Sequence, residues 1–305
     1  MKKKTETNPG IKPPIFILFA AALLLTLMNQ RLLSGKAVFT DNKDLSGQAI
    51  GYAEIQDRAE LPQALVLNEK LNAVAAEVVD LQTKKNLLDY NGGQNWPAAS
   101  LTKLMSAVIV EEFLDPGETI DVPRTGPEDE VIFPGEAYSV GDLEKIMLMS
   151  SSNKAAYAFE KHFPEGRFLE MMNEKARDIG MADTNFTDAS GLSESSRTSG
   201  DDLVKLVQYI WENHRRVFSI NRDPKGTITE IKSGQIKEIS ATHQFAGRPD
   251  FLGGKTGFTA SAQGNLISIF SVENHPVLIL VLGTESRFEE SEKILKFITD
   301  ASRSN

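Results

Sequence analysis

"GNLISIFSVENHPVLILVLGT", residues 264–284, holds two apolar runs on either side of Glu273-Asn274-His275. Short runs rich in Ile, Val and Leu around a polar turn read as a buried antiparallel strand pair, residues 264–272 and 276–284. An amphipathic last helix bearing Phe288, Leu295 and Ile298 follows. At the other end, "NAVAAEVVDLQTKKNLLDYN", residues 72–91, reads as a hairpin turning at Thr83 to Asn86. Between these ends, residues 140–214 are mostly helical by pattern, with breaks at Pro164-Glu165-Gly166 and around Asp188 to Gly200. Strands, then helices, then strands and a helix predict one α/β (α+β) domain whose sheet draws on both ends of the chain.

The buried helix of this domain begins in "WPAASLTKLMSAVIV", residues 96–110. Leu101, Leu104, Met105, Val108 and Ile109 recur at helical spacing, and alanine and valine fill much of the rest, so the helix is covered nearly all round. Ser100 and Lys103 stand three apart at its first turn and face the same way. A serine hydroxyl needs a base to become a nucleophile, and a lysine serves only if desolvation or a neighbouring cation lowers its pKa. A helix N-terminus also offers free N–H groups to a developing oxyanion. The spacing alone proves little, since roughly one S-x-x-K arises by chance in a chain this long. Ser151 to Lys154 is a second one. A capping serine beside a solvated lysine is the structural alternative.

Composition narrows the class. The 305 residues are 41% hydrophobic and 25% charged, which is ordinary for a globular chain. The first 36 residues are basic while the whole carries −9, so the body is strongly acidic, which argues against a nucleic-acid partner. With no cysteine, disulfides, thiolate metal sites and cysteine nucleophiles are excluded. Lys2, Lys3, Lys4 and Lys12 precede the apolar segment Ile15 to Met28, the pattern of an export signal. Fourteen residues make about 21 Å of helix against a hydrocarbon core of about 30 Å, so Leu32 and Leu33 must extend any full span. No clean cleavage site follows Met28, and an uncleaved anchor with its lysines inside is the expectation. Residues 1–36 are thus read as tail and anchor, 37–72 as a polar tether and 73–305 as the folded domain. The short stretch after the last strand leaves any anchor N-terminal.

Two further motifs change the weight of Ser100 and Lys103. "MLMSSSNKAAYAF" carries Ser151-Ser152-Asn153 at a break between helical patterns, and "FLGGKTGFT" carries Lys255-Thr256-Gly257 just before a strand pattern. S-x-x-K, then S-x-N, then K-T-G, in that order, is the motif trio of penicillin-recognising serine enzymes. Taken singly, Asn153 as a helix cap, Thr256 as a strand threonine and Gly257 as a bulge are the plainer readings.

From about Ala73 to about Ser302 the chain resembles the serine-type D-alanyl-D-alanine carboxypeptidases, the low-molecular-mass penicillin-binding proteins. Similar stretches include "VVDLQTKKNLLDYN", "FPGEAYSVGDLEKIMLMSSSN", "DASGLSESSRTSGDDLVKL" and "GGKTGFTASAQGNL", in family order. The resemblance implies a β-lactamase/transpeptidase-like fold with the S-x-N motif on an inserted helical region. It implies peptidoglycan stem peptides as substrate, β-lactams as covalent inhibitors and no cofactor. By motif it makes Ser100 the nucleophile, Lys103 its base and Ser151 the proton relay to the leaving amine. Asn153 would hold the substrate amide, Lys255 raise the potential and lower the Lys103 pKa, and Thr256 bind the terminal carboxylate. Gly257 would let substrate lie along the strand edge, and the N–H groups of Ser100 and Phe258 would form the oxyanion hole.

Departures from the family pattern are informative. Lys154 follows Asn153 where aspartate is common, an expected positive charge beside the cleft. Lys85-Asn86 occupies a turn where glycine is usual, and asparagine tolerates φ > 0. A class A β-lactamase would need a water-activating glutamate; Glu165 and Glu170 lie in the right region without the surrounding pattern. A Ser-His-Asp hydrolase lacks its G-x-S-x-G elbow here. No metal is expected: His162, His214, His243 and His275 are widely spaced and read as surface or capping residues. A non-catalytic module binding cell-wall peptide would be marked by loss of nucleophile or base, and both are present.

Overall fold

The computed structural model describes residue 61 and residues 70–303. The anchor expected at 1–36 and nearly all of the tether lie outside the described residues. Among those described, no helix is long and apolar enough to cross a membrane.

The N-terminal hairpin is β1 (Ala75–Asp80) and β2 (Lys85–Tyr90). Its turn falls at residues 81–84, two residues earlier than expected. The Asp80 carboxylate sets it, accepting from Gln82 N at 2.8 Å, Thr83 N at 3.3 Å and Thr83 Oγ1 at 2.7 Å. The left-handed residue is therefore Lys84, φ 62°, while Asn86 already pairs with Val79. Next come β3 (Trp96–Pro97), a 3₁₀ turn at Ala99–Leu101 and α1 (Thr102–Phe113), buried continuously from Thr102 to Val110. The short strands β4 (Thr119–Asp121) and β5 (Ala137–Ser139) pair across a loop.

The helical middle follows the breaks read from sequence: α2 (Val140–Met149), α3 (Asn153–His162) and α4 (Arg167–Asp178). After β6 (Arg197–Thr198), which pairs with β3, comes α5 (Gly200–Asn213). Ser139, Ser152 and Ser199 cap α2, α3 and α5, each accepting from the N–H three residues on. A short helix α6 (Arg216–Ser219) and a hairpin of β7 (Lys225–Thr229) and β8 (Ile236–Ser240), neither anticipated, lead to β9 (Phe251–Thr259). The chain closes with β10 (Gln263–Val272), β11 (His275–Thr284) and α7 (Arg287–Arg303).

The main sheet runs β2-β1-β11-β10-β9, antiparallel throughout, so the two ends of the chain meet where β1 pairs with β11. β11 explains the unbroken apolar run. Leu278, Leu280 and Leu282 enter the core shared with α1 and α2, while Val277, Ile279 and Val281 enter the one under α7. Both faces are buried, so alternation of polarity is absent. Leu71 is buried in the second core and Leu61 packs against it, so packing reaches into the segment read as tether. β9 is left as an edge strand, and its free edge borders the nucleophile turn.

Lys255-Thr256-Gly257 lies inside β9, not before it. Gly253 and Gly254 hid the strand, because glycine inside a strand reads as a loop. A Cβ on Gly254 would stand 2.1 Å from Ile267 O on the neighbouring strand, so the close pairing of β9 with β10 excludes any side chain there.

Candidate active site

Ser100 sits in the 3₁₀ turn ahead of α1, and Ala99 before it is left-handed, φ 48°, a costly state for a residue with a Cβ. Gly191 is pressed against this turn; a Cβ on it would meet Ala99 O at 1.7 Å. One α1 turn on, Lys103 is fully buried, and its Nζ is 2.7 Å from Ser100 Oγ, 2.7 Å from Asn153 Oδ1 and 2.8 Å from Ser190 O. Burial lowers its pKa to about 7, against the opposing pull of Asp188 and Asp129. Near neutral pH a large fraction of Lys103 is therefore free amine, able to accept the Ser100 proton.

Ser151 lies between α2 and α3, also left-handed at φ 57°, and accepts from Lys255 Nζ at 2.8 Å. Lys255, on β9, is fully buried and gives a second hydrogen bond to Thr256 O at 3.0 Å. Its pKa falls well below the usual lysine value through burial first, then the charges of Lys103 and Arg287. For Lys103, burial is the chief cause, where repulsion from Lys255 was the expected one. Thr256 Oγ1 is 2.9 Å from Thr242 Oγ1. Gly257 faces the nucleophile turn; a Cβ there would lie 3.3 Å from Ser100 N, so its absence keeps the cleft open. Phe258 is exposed beside it, with the Arg287 guanidinium 5.9 Å from its ring centroid.

The structure thus brings all eight expected residues together: Ser100, Lys103, Ser151, Asn153, Lys255, Thr256, Gly257 and Phe258. Two expectations about neighbouring residues are corrected. Lys154 is not an exposed charge in the cleft; it is buried and donates to Thr125 O at 3.0 Å, securing the loop between β4 and β5. His243 is not a surface or capping residue. It is buried among Phe245, Phe251 and Phe288, and its pKa falls to about 3 through burial, so it is neutral.

Sequence reasoning also missed residues that shape the site. Asp129, on the loop between β4 and β5, accepts from the Ser152 hydroxyl. Asp188 ties its own loop through Ser190 Oγ at 2.6 Å and Ser196 Oγ at 2.8 Å, and that loop supplies Ser190 O to Lys103. Arg287 Nη1 donates to Gly257 O at 3.1 Å. A carboxylate hidden in a loop such as "DASGLSESSR" carries no spacing that marks it. Glu165 and Glu170 are both exposed, and Glu170 pairs with Arg167 rather than with the Ser100 cluster. Among the described residues no group of three or more His, Asp or Glu is arranged to hold a metal ion.

Comparison with known proteins agrees with this geometry. The chain is 27% identical over 238 residues to a D-alanyl-D-alanine endopeptidase of Escherichia coli K12, covering 73% of this chain and 76% of that protein. It is 28% identical over 295 residues to the Pseudomonas aeruginosa D-alanyl-D-alanine endopeptidase, covering 89% of each. Among solved structures, penicillin-binding protein D2 of Listeria monocytogenes in its ampicillin-bound form superposes with TM-score 0.68 at 29% identity, over 76% of this chain and 99% of that one. A family model described as D-alanyl-D-alanine carboxypeptidase matches residues 62–286. Because that match spans every strand of the sheet and all eight residues gathered around Ser100, the chain belongs to the D-alanyl-D-alanine carboxypeptidase family and is a serine D,D-peptidase of peptidoglycan.

Proposed function

We propose that the chain cleaves the terminal D-alanyl-D-alanine bond of stem peptides through an acyl-enzyme on Ser100. The observation that carries this reading is the 2.7 Å contact of Lys103 Nζ with Ser100 Oγ, at a buried site where the amine is available near pH 7. Lys103 takes the hydroxyl proton as Oγ attacks the carbonyl of the penultimate D-alanine. The oxyanion forms between the N–H groups of Ser100 and Phe258. As the C–N bond breaks, Ser151 gives its proton to the leaving nitrogen and recovers one from the lysine pair. Water then attacks the ester and gives its proton to Lys103, which returns it to Ser100 Oγ as the ester C–O bond breaks and the shortened peptide is released.

Recognition follows from the same cleft. Asn153 holds the substrate amide, and Thr256 binds the terminal carboxylate beside the Arg287 guanidinium, which supplies positive potential. The peptide backbone lies along the free edge of β9. A β-lactam presents an acylating carbonyl and a carboxylate together, and the similar Listeria protein is known in ampicillin-bound form, which supports β-lactams as covalent inhibitors here. The endopeptidases among its relatives favour a second activity on cross-linked peptides, where the leaving amine belongs to a neighbouring strand. The basic tail and apolar segment of residues 15–28 support a location on the outer face of the cytoplasmic membrane, tethered N-terminally.

Intact mass of the purified chain over time with benzylpenicillin tests the reading. One persistent penicilloyl adduct is expected, absent in Ser100→Ala. A folded wild-type chain that never carries an adduct, and releases no D-alanine from a stem peptide, sinks it. Exposed Glu165 and Glu170 favour persistence over the rapid turnover of a β-lactamase.

A further inference from the structure

Asn265 lies on β10 directly opposite Gly257 of β9 and is fully buried. Its side-chain amide donates to Pro97 O at 2.9 Å and Ala98 O at 3.2 Å, and its Oδ1 accepts from Gly283 N of β11 at 3.1 Å. One side chain thus ties the segment entering the nucleophile turn to β10 and β11 of the sheet. The segment it grips ends at Ala99, whose left-handed backbone persists only while the residues around it are held. Ala98 N is fixed from the other side by Ser196 O at 2.9 Å.

We propose that Asn265 is a positioning residue for the oxyanion hole. One N–H of the hole belongs to Ser100, two residues after Ala98, the second of the two carbonyls that Asn265 holds. The other belongs to Phe258, one residue after the Gly257 that Asn265 faces across the ladder. Asn265 therefore references both donors to a single point in the sheet, and sets the separation at which they converge on one oxygen. Without its two N–H groups, the Pro97 and Ala98 carbonyls lose their tether and the strained turn relaxes. Ser100 N–H then drifts from the line of Phe258 N–H, while Thr256 and Asn153, on other elements, stay in place. This inference rests on the acyl-transfer reading above.

The test uses the purified full chain with Asn265→Ala and Asn265→Asp. The aspartate keeps the shape and the acceptor for Gly283 N–H but removes both donors, so it serves if the alanine variant does not fold. A peptidyl boronic acid, whose tetrahedral adduct places an oxygen in the hole, reports the hole itself. Binding of a D-Ala-D-Ala peptide in the Ser100→Ala background reports ground-state recognition. Benzylpenicillin acylation and boronate affinity are expected to fall together by about 10- to 100-fold, since misplacing one oxyanion donor costs somewhat less than deleting it. Peptide binding should stay within about twofold. Wild-type acylation by a folded variant overturns the proposal, as does loss of peptide binding equal to the loss of boronate affinity. If wild type itself forms no Ser100 adduct, the acyl-transfer reading has failed instead.

Discussion

Lys103 and Lys255 are both stripped of solvent, and each is held by oxygens from more than one element. An ammonium without water is costly, so burial pushes each toward the free amine; Asp188 and Asp129 push back on Lys103, while the charges of Lys103 and Arg287 push Lys255 further. This predicts the acid limb of kcat/KM: activity should rise with pH through about 7 as Lys103 loses its proton. Asp129 stabilises the protonated form, so removing its charge lowers the Lys103 pKa and makes the base available earlier. Asp129→Asn should move the acid limb down by about half a unit to one unit, read from a pH profile of benzylpenicillin acylation. An upward shift would contradict the assignment. The motif residues were legible because order and spacing of three short motifs are rare together. Asp129, Asp188 and Arg287 were not, because they act through the fold and leave no local pattern.

Among the elements, β11 carries most of the architecture, since it feeds both cores at once. Leu280 is fully buried on the face shared with α1 and α2. Leu280→Ala should lower unfolding free energy by about 2–5 kcal/mol, measured by urea denaturation, through lost transfer energy and the cavity left behind. A cost under about 1 kcal/mol would mean that β11 is not the keystone described. The strand pair at 264–284, the N-terminal hairpin and the helix after Ser100 were readable because long apolar runs and helical spacing survive without tertiary context. β9 was not, for Gly253 and Gly254 are demanded by its close neighbours and look like a loop in isolation. The β7–β8 hairpin was also silent: each strand buries only one residue, Ile228 or Ile239, too little to leave a pattern.

At the scale of the whole molecule, stability carries a pH signature from a second buried group. Glu77, on β1, has its Oε1 buried without a partner, and burial, with Asp201 and Asp89 nearby, raises its pKa to about 8. In the unfolded chain it ionises near 4.3, so between there and about 8 the unfolded state gives up a proton that the native state keeps. Stability contributed by this group is therefore full below about pH 4 and falls as pH rises to 8. Glu77→Gln removes the ionisation and keeps an acceptor for Asn86, so its Tm should exceed that of wild type at pH 8 and the two should converge toward pH 5. A mutant less stable at pH 8 would overturn this.

The pairing of β1 with β11, Ala75 opposite Leu282, has a consequence in time. The N-terminal hairpin has no seat until the last strand has been synthesised, so the chain must traverse most of its translation with its sheet unclosed. The nucleophile turn emerges early, yet the strand that completes its cleft and the asparagine that grips it arrive together near the end. A ribosome-bound chain halted before residue 263 would therefore hold Ser100 and Lys103 but capture no penicillin, and acylating competence should appear abruptly as β10 and β11 clear the exit tunnel.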